Sequence, residues 1–242
     1  MSESPVIDLP AGLQLRMLQD GDIDSIDSLH RLVTRSLDES VVRPVSKDYF
    51  ARILQDNGAI AGLEADGVLV AYGALQCKLD EYDGASFLEG RTQPGLQLYK
   101  LAGSSVHPDW RGMRLQRRLI DFRCRLAIGV QGVFATVSPD NPASLSNFLG
   151  CGFQVEALRP VYSGVMRFVL FKSLPAEALP VPEQGECRMV PLNKIDEHVH
   201  LLASGWIGDA LGQGGRMLRY RVAPGQVQSM GRGNSCRRSD LS

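Results

Sequence analysis

The sequence predicts a mixed α/β domain of the α+β kind, with a central sheet of roughly six to seven strands flanked by about four helices. Three observations predict it. An apolar stretch, Leu98 to Val106, runs through a His-Pro turn into a helical stretch, and a second apolar run, Val133 to Val137, follows. Two apolar runs, Ala59 to Glu64 and Val68 to Leu79, flank Asp66-Gly67, a residue pair suited to a tight hairpin. Two more apolar strands, Phe153 to Leu158 and Val165 to Phe171, come after a second short helix.

Each element has its own signal. Leu13 to Leu18 alternates apolar with polar and reads as the first strand. Asp20 stands at a helix N-cap position, and Ile23, Ile26, Leu29, Leu32, Val33 and Leu37 then recur at helical spacing. Ser46 can cap a second helix bearing Tyr49, Phe50, Ile53 and Leu54, which Asn57-Gly58 ends. Asp80 to Gly95 is a loop with several glycines and acidic residues. The helix from Gly112 to about Ile128 carries Leu115, Leu119, Phe122 and Leu126 on one stripe, the pattern of a helix laid on a sheet. Arg123 and Arg125 are expected on its solvated face, with their stems snorkelling. Pro175 to Pro182 reads as a linker. Beyond it, Asn193 can cap a short helix using Ile195, Val199 and Leu202, which Gly205 stops, and Arg216 to Val222 alternates as a strand. The expected division is a flexible N-terminus over 1–12, a domain over 13–174, a C-terminal extension over 175–224 and a polar, basic tail over 225–242. No internal repeat is seen.

Composition narrows the function classes. Apolar residues make up 44% of 242, enough for a real core, and a net charge of −1 gives no footing for wholesale nucleic-acid binding. No run is long enough to span a membrane, and Met1 to Gly12 has no apolar signal core. The 5 cysteines are scattered and odd in number, which reads as free thiols in a reducing cytoplasm. The 4 histidines are dispersed as well, and no metal site is expected, because ligands must converge on one point.

The most informative stretch is Val106 to Gln116. A helix start points free N–H groups outward and carries partial positive charge, so it suits an anion. Gly112 presents no side chain to an approaching ligand, and Arg111 adds a planar fork of donors suited to phosphate. Arg117 and Arg118, within two turns of the helix start, could reach an outer phosphate. Cys151 has no histidine near it in sequence and its glycine neighbours suit a helix end, so no nucleophile is assigned there. His107, at the outer end of its strand, is expected to be structural or to face solvent.

The order strand, Arg-Gly turn, helix, strand, Asn, helix, Gly-Phe resembles the GCN5-related N-acetyltransferase (GNAT) superfamily. The family's phosphate loop has the pattern Gln/Arg-x-x-Gly-x-Gly/Ala, usually after Val-x-Pro. Here Arg111 takes the first place, Arg114 the first Gly place and Gln116 the last, after Val106-His107-Pro108. The family's later motif is Asn, six residues, Tyr, three residues, Gly-Phe, and this chain matches its spacing from Asn141 through Phe148 to Gly152-Phe153. The resemblance covers roughly Leu13 to Leu174.

The resemblance implies a GNAT-type sheet splayed between its fourth and fifth strands, with a small C-terminal extension. It implies an acyl-CoA-dependent N-acyltransferase with acetyl-CoA as co-substrate and no metal, acting on a small-molecule or peptide amine, with no nucleic-acid or membrane partner. It is compatible with a homodimer. The cofactor-binding residues it implies are Ser104, Ser105 and Val106 for the pantetheine arm, Arg111, Gly112, Met113, Arg114, Leu115, Gln116 and Arg117 for the phosphates, and Asn141 near the thiol end. Gly103 is compatible with a strand bulge or with close packing, and Asn141 equally suits an N-cap.

Three residues depart from the family pattern. Arg114 replaces a Gly, which ordinary helical dihedrals would tolerate. Phe148 replaces the frequent Tyr whose phenol protonates the leaving thiolate. Thr136 stands where some relatives carry a Glu base. Substitute catalytic groups are Tyr99, Glu81 and Tyr162, with Asp83 and Glu89 on the same loop as Glu81. The empty proton-transfer positions also motivate an alternative, a catalytically silent CoA-binding regulatory or scaffold module.

Overall fold

The computed structural model describes residues 8–42, 45–79, 85–88, 97–161, 164–174 and 186–222. The chain runs β1 (Leu13–Met17), α1 (Ile23–Thr34), α2 (Lys47–Arg52), β2 (Gly58–Ala65), β3 (Val68–Gln76) and β4 (Leu98–Val106). It continues through α3 (Leu115–Leu126), β5 (Gly132–Val137), α4 (Pro142–Leu149), β6 (Gln154–Val161) and β7 (Val165–Ser173). It ends, among the described residues, with β8 (Cys187–Pro191), α5 (Ile195–Ala203), β9 (Trp206–Leu211) and β10 (Met217–Val222).

The strands form one 10-stranded sheet in the order β1-β2-β3-β4-β5-β7-β6-β9-β10-β8. The expected mixed sheet is present, but with more strands than the six to seven foreseen. The reason is that β8, β9 and β10 continue it, β9 pairing with β6 where Gly208 faces Val155. β1 to β4 form an antiparallel meander. β4 and β5 are parallel, so their connection must cross over, and α3 is that crossover.

Both faces of β2 and β3 are covered, which is why these strands read as near-continuous apolar runs. On one face, Leu115, Leu119 and Phe122 of α3 pack with Leu63 and Ala71. On the other, Ile26 and Leu29 of α1 and Phe50 of α2 pack with Ile60 and Tyr72. A third, larger core joins β5 to β7 with α4, α5 and the last strands.

The feature that positions the site is a parting of strands. Pairing between β4 and β5 covers only Leu98 to Lys100 against Gly132 to Phe134, after which the two diverge. A bulge starts the divergence. Between the pairs Gly73–Ser104 and Leu75–Leu101, Ala74 of β3 faces both Ala102 and Gly103 of β4. No atom lies within 4 Å of a Cβ built on Gly103, so this glycine belongs to the bulge and makes no close packing contact.

Arg123 holds the bulge from beneath, and its expected solvent-facing position is wrong. It is fully buried, donating from Nη1 to the carbonyls of Ala74 at 2.8 Å and Ala102 at 3.4 Å, and from Nε to Leu119 at 2.9 Å. A bulge leaves carbonyls without ladder partners, and a guanidinium can serve two of them from one side chain. Gly73 makes room, since a Cβ there would lie 2.8 Å from Cζ of Arg123. Burial pulls the Arg123 guanidinium down to about 10, still charged at neutral pH.

Candidate functional site

Where β4 ends, His107-Pro108 leads into a short 3₁₀ turn over Pro108–Trp110. The imidazole of His107 accepts the amide N–H of Asp109 through Nδ1 at 3.3 Å, which ties it to the turn. Gly112 then takes φ +83° and Arg114 takes φ +59°, both left-handed, and α3 begins at Leu115. The helix therefore starts three residues later than Gly112. Arg114 does not have the helical dihedrals that would make a side chain there unstrained. A left-handed Arg costs about 1–2 kcal/mol relative to its ordinary region. The segment from Arg111 to Arg114 stays exposed, while Leu115 is buried in the core.

This turn opens into a cleft of about 810 Å³ that runs into the gap between β4 and β5. Of the residues assigned to the cofactor, Ser104, Ser105, Val106, Arg111, Gly112, Arg114, Leu115, Gln116, Arg117 and Asn141 line it; Met113 does not. Asn141 caps α4, its Oδ1 accepting the amide N–H of Ser144 at 3.0 Å. Side chains tie α3 to α4 across the cleft. Gln116 donates to the hydroxyls of Ser104 at 3.4 Å and Ser144 at 3.2 Å, and accepts from Asn147 at 2.7 Å. Arg117 turns away from the turn toward α4, donating to Asn147 Oδ1 at 3.0 Å and the Ser146 carbonyl at 3.2 Å. Arg118 reaches Asp8 at 3.3 Å.

Phe148 and Thr136 also line the cleft. Phe148 is 4% exposed and meets Phe153 edge to face at 5.1 Å, so the position that carries a phenol in the family motif carries only a hydrocarbon ring. Tyr99 is placed elsewhere. It pairs with Val133 in the closed part of the β4–β5 ladder, beside Cys77, and is not among the cleft-lining residues. Glu81, Tyr162, Asp83 and Glu89 lie outside the described residues, as do the linker over 175–182 and the tail from 225. Burial pushes the Cys151 thiol up to about 12, which removes it as a nucleophile at neutral pH.

The far end of the cleft is built largely by the first two helices and the segment between them; of its lining residues, His30 and Arg167 are the ones that the sequence did not single out. His30 of α1 and Val33, Leu37, Val41, Val45 and Tyr49 of the α1–α2 region line it, with Arg167 of β7. Arg167 donates to the carbonyls of Val41 at 2.7 Å and Glu39 at 3.2 Å, pinning the connection between the first two helices to the sheet. Nδ1 of His30 lies 2.9 Å from the hydroxyl of Tyr72, which also bonds Ser105. Desolvation lowers the His30 pKa and raises that of Tyr72, so both are neutral near pH 7. The available signals were the apolar stripe of α1, on which His30 lies, and the position of Tyr72 mid-strand.

Among the described residues there is no cluster of three or more metal-ligating side chains, and no helix is long and apolar enough to cross a membrane.

No protein-family model matches the chain, and no curated protein matches it at a significant level. Solved structures do match. The ribosomal-protein-S18-alanine N-acetyltransferase from Escherichia coli superposes with a TM-score of 0.52 at 16% identity, covering 70% of this chain and 98% of its own. A GNAT superfamily phosphinothricin acetyltransferase from Sinorhizobium meliloti, in complex with AcCoA, gives 0.52 at 16%, covering 71% and 94%. An N-acetyltransferase from Staphylococcus aureus Mu50 gives 0.53 at 14%, covering 68% and 99%. With the meander, the crossover helix, the parted β4–β5 pair and these neighbours together, the chain has the fold of the GCN5-related N-acetyltransferases.

Proposed function

We propose that this chain is an acyl-CoA-dependent N-acyltransferase that moves an acetyl group from acetyl-CoA to an amine of a small molecule or peptide. The observation that carries the reading is the continuity of one cleft. It starts at an exposed, left-handed turn with free main-chain amides and ends between two strands whose ladder stops at Lys100–Phe134. A pyrophosphate needs N–H donors and positive charge; the amides from Gly112 to Gln116, with Arg111 and Arg114, supply both. A pantetheine arm is an amide chain, and the side of Ser104 to Val106 that faces away from β3 offers it the hydrogen bonds that β5 does not take. Met113, outside the cleft lining, contributes its backbone amide only.

In the reaction the amine nitrogen attacks the thioester carbonyl carbon. The carbon–sulfur bond then breaks, the amine loses a proton and the thiolate gains one. No covalent bond to the protein is formed. The chain's contribution is orientation, which can lower such a barrier by about 7–11 kcal/mol. The acceptor enters from the end lined by Val33, Leu37 and Val45, so the α1–α2 connection held by Arg167 shapes its site.

Phe148, lacking a proton donor, favours a second reading, a CoA-binding module without turnover. Calorimetric titration of the full chain with acetyl-CoA tests the shared premise: saturable binding in the micromolar range supports it, and no binding at millimolar ligand ends it. Release of free CoA thiol across a panel of amines then separates the two readings. Acceptor-dependent turnover above hydrolysis removes the silent module, and tight binding with none removes the enzyme.

A further inference from the structure

The chain beyond residue 186 does more than lengthen the sheet. β8, α5, β9 and β10 follow one another as β5, α4, β6 and β7 do. Over this half the sheet order is β5-β7-β6-β9-β10-β8, a palindrome once β8 stands for β5, β9 for β6 and β10 for β7.

From β5 through β6 the correspondence holds residue by residue at a displacement of 53 positions, the step from Val155 to Gly208; in the last strands it is 50, the step from Leu170 to Tyr220, because the second hairpin turn is three residues shorter. The buried side chains of α4 are Leu145, Phe148 and Leu149; those of α5 are His198, Leu201 and Leu202. Before α4 the amide of Asn141 bonds the carbonyl of Ser138 at 3.0 Å; before α5 that of Lys194 bonds Pro191 at 2.9 Å. After α4 the amide of Gly152 bonds Leu149 at 3.0 Å with φ +82°; after α5 that of Gly205 bonds Leu202 at 3.1 Å with φ +83°. Each glycine is followed by a buried aromatic residue, Phe153 or Trp206.

The hairpins share an irregularity. In the first, Leu170 faces Val155 and Val169 faces Ala157, leaving Glu156 as the extra residue. In the second, Tyr220 faces Gly208 and Arg219 faces Ala210, leaving Asp209 as the extra residue. A bulge can fall anywhere along a hairpin, so its recurrence at equivalent positions is a mark of common construction. Five equivalent pairs also keep their identity: Val137 and Val190, Leu149 and Leu202, Gly152 and Gly205, Ala157 and Ala210, Leu158 and Leu211. Identity this sparse is why no repeat is visible in the sequence alone.

We infer that residues 187–222 are a second copy of the unit over 132–173, and that this copy occupies the β6 edge, so that the chain is its own partner across a pseudo-two-fold axis. The axis passes through the one pair that joins the two units. Val155 faces Gly208, its own equivalent, in antiparallel pairing, which is what a two-fold operation produces. Packing is reciprocal, α5 lying on β6 and α4 on β9, and the two units share one core. Gly208 lets the axis close: a Cβ there would stand 3.0 Å from Cβ of Val155 and 2.9 Å from Cδ2 of Leu218. Without the second copy β6 would be a bare edge, open to another chain. Here the surface that a symmetric dimer would bury is filled internally, whatever the reaction in the cleft.

Two measurements on the full chain test this. Gly208→Val adds bulk at the axis and Val155→Gly removes it, and each lowers the thermal midpoint. The double exchange moves the bulk to the other side and recovers about half or more of the summed loss. Additive losses would overturn the axis. Amide exchange of the unmodified chain provides the check that needs no variant. Protection of β6 is the same from micromolar to hundreds of micromolar protein if the edge is closed internally. Protection that rises with concentration, with sedimentation above the 26.5 kDa of one chain, would show a second chain closing it and overturn the inference.

Discussion

The Tyr72 hydroxyl and Nδ1 of His30 meet at 2.9 Å where α1 crosses the sheet, with Tyr72 fully buried and His30 5% exposed. The contact joins a helix that lines the cleft to the strand beside β4. Tyr72→Phe removes the hydroxyl and leaves the histidine nitrogen without it, so it should cost about 1–3 kcal/mol of unfolding free energy by urea titration. An unchanged denaturation midpoint would show that this bond contributes nothing.

Two buried histidines give the fold a common response to acid. Burial lowers the pKa of His30, and of His198, which lies 2.8 Å from the Tyr220 hydroxyl and 3.0 Å from the Pro191 carbonyl. Since the unfolded chain takes up these protons first, stability is full above the unfolded histidine value of about 6.5 and falls as pH drops below it, until the folded values are reached. Urea midpoints between pH 8 and pH 5 should therefore decline. His198→Gln, which keeps hydrogen-bonding capacity without the titration, should flatten part of that decline; an unaltered slope would take His198 out of the account.

Much of this was legible because the signals are local. The stripe Leu115, Leu119 and Phe122, the Asp66-Gly67 hairpin and the Asn141-to-Phe153 spacing each need only a few neighbouring residues, and each appears in the fold. What stayed hidden depends on distant partners. Arg123 lies four residues after Leu119, on the buried side by helical geometry, but its charge argued for solvent until the orphan carbonyls of the β4 bulge were seen. Arg114 looked helical because the left-handed turn that delays α3 leaves no residue-type signal when a glycine is replaced. β8 and β9 were missed because they are short and owe their place to β6 and β10.

Arg123 offers a sharp test of the bulge. Arg123→Leu keeps apolar bulk but leaves the carbonyls of Ala74 and Ala102 unpaired in the core, for a loss of about 2–4 kcal/mol. Gly73→Ala pushes a methyl against the same guanidinium and should cost about 1–3 kcal/mol. Because both act on one contact, the double variant should lose less than the sum. Strict additivity would mean that the two residues do not share the bulge.

Arg114 should separate stability from binding. Arg114→Gly relieves the left-handed strain, offset in part by the entropy of a freer unfolded chain, for a net gain of up to about 1 kcal/mol. The same change removes an exposed cation beside the turn amides and should weaken acetyl-CoA binding by roughly threefold, the scale of an exposed charge pair. Thermal melting and calorimetric titration of one variant read the two effects. Tighter binding with no change in stability would contradict both assignments.

Phe148 tests the empty proton-donor position. Its ring lines the cleft and meets Phe153 edge to face, so a phenol at this position could be accommodated with a stability change within about 1 kcal/mol. If the departing thiolate leaves beside this ring, Phe148→Tyr supplies its proton. Positioned acids contribute about 10²–10⁴-fold, so kcat for a responsive amine should rise at least about tenfold, while the affinity for acetyl-CoA stays near that of the parent. A rise in kcat at constant affinity places the sulfur at α4. An unchanged kcat, in a variant that melts and binds like the parent, would mean that the thiolate takes its proton from water or from another side chain, and that the missing phenol does not limit the reaction.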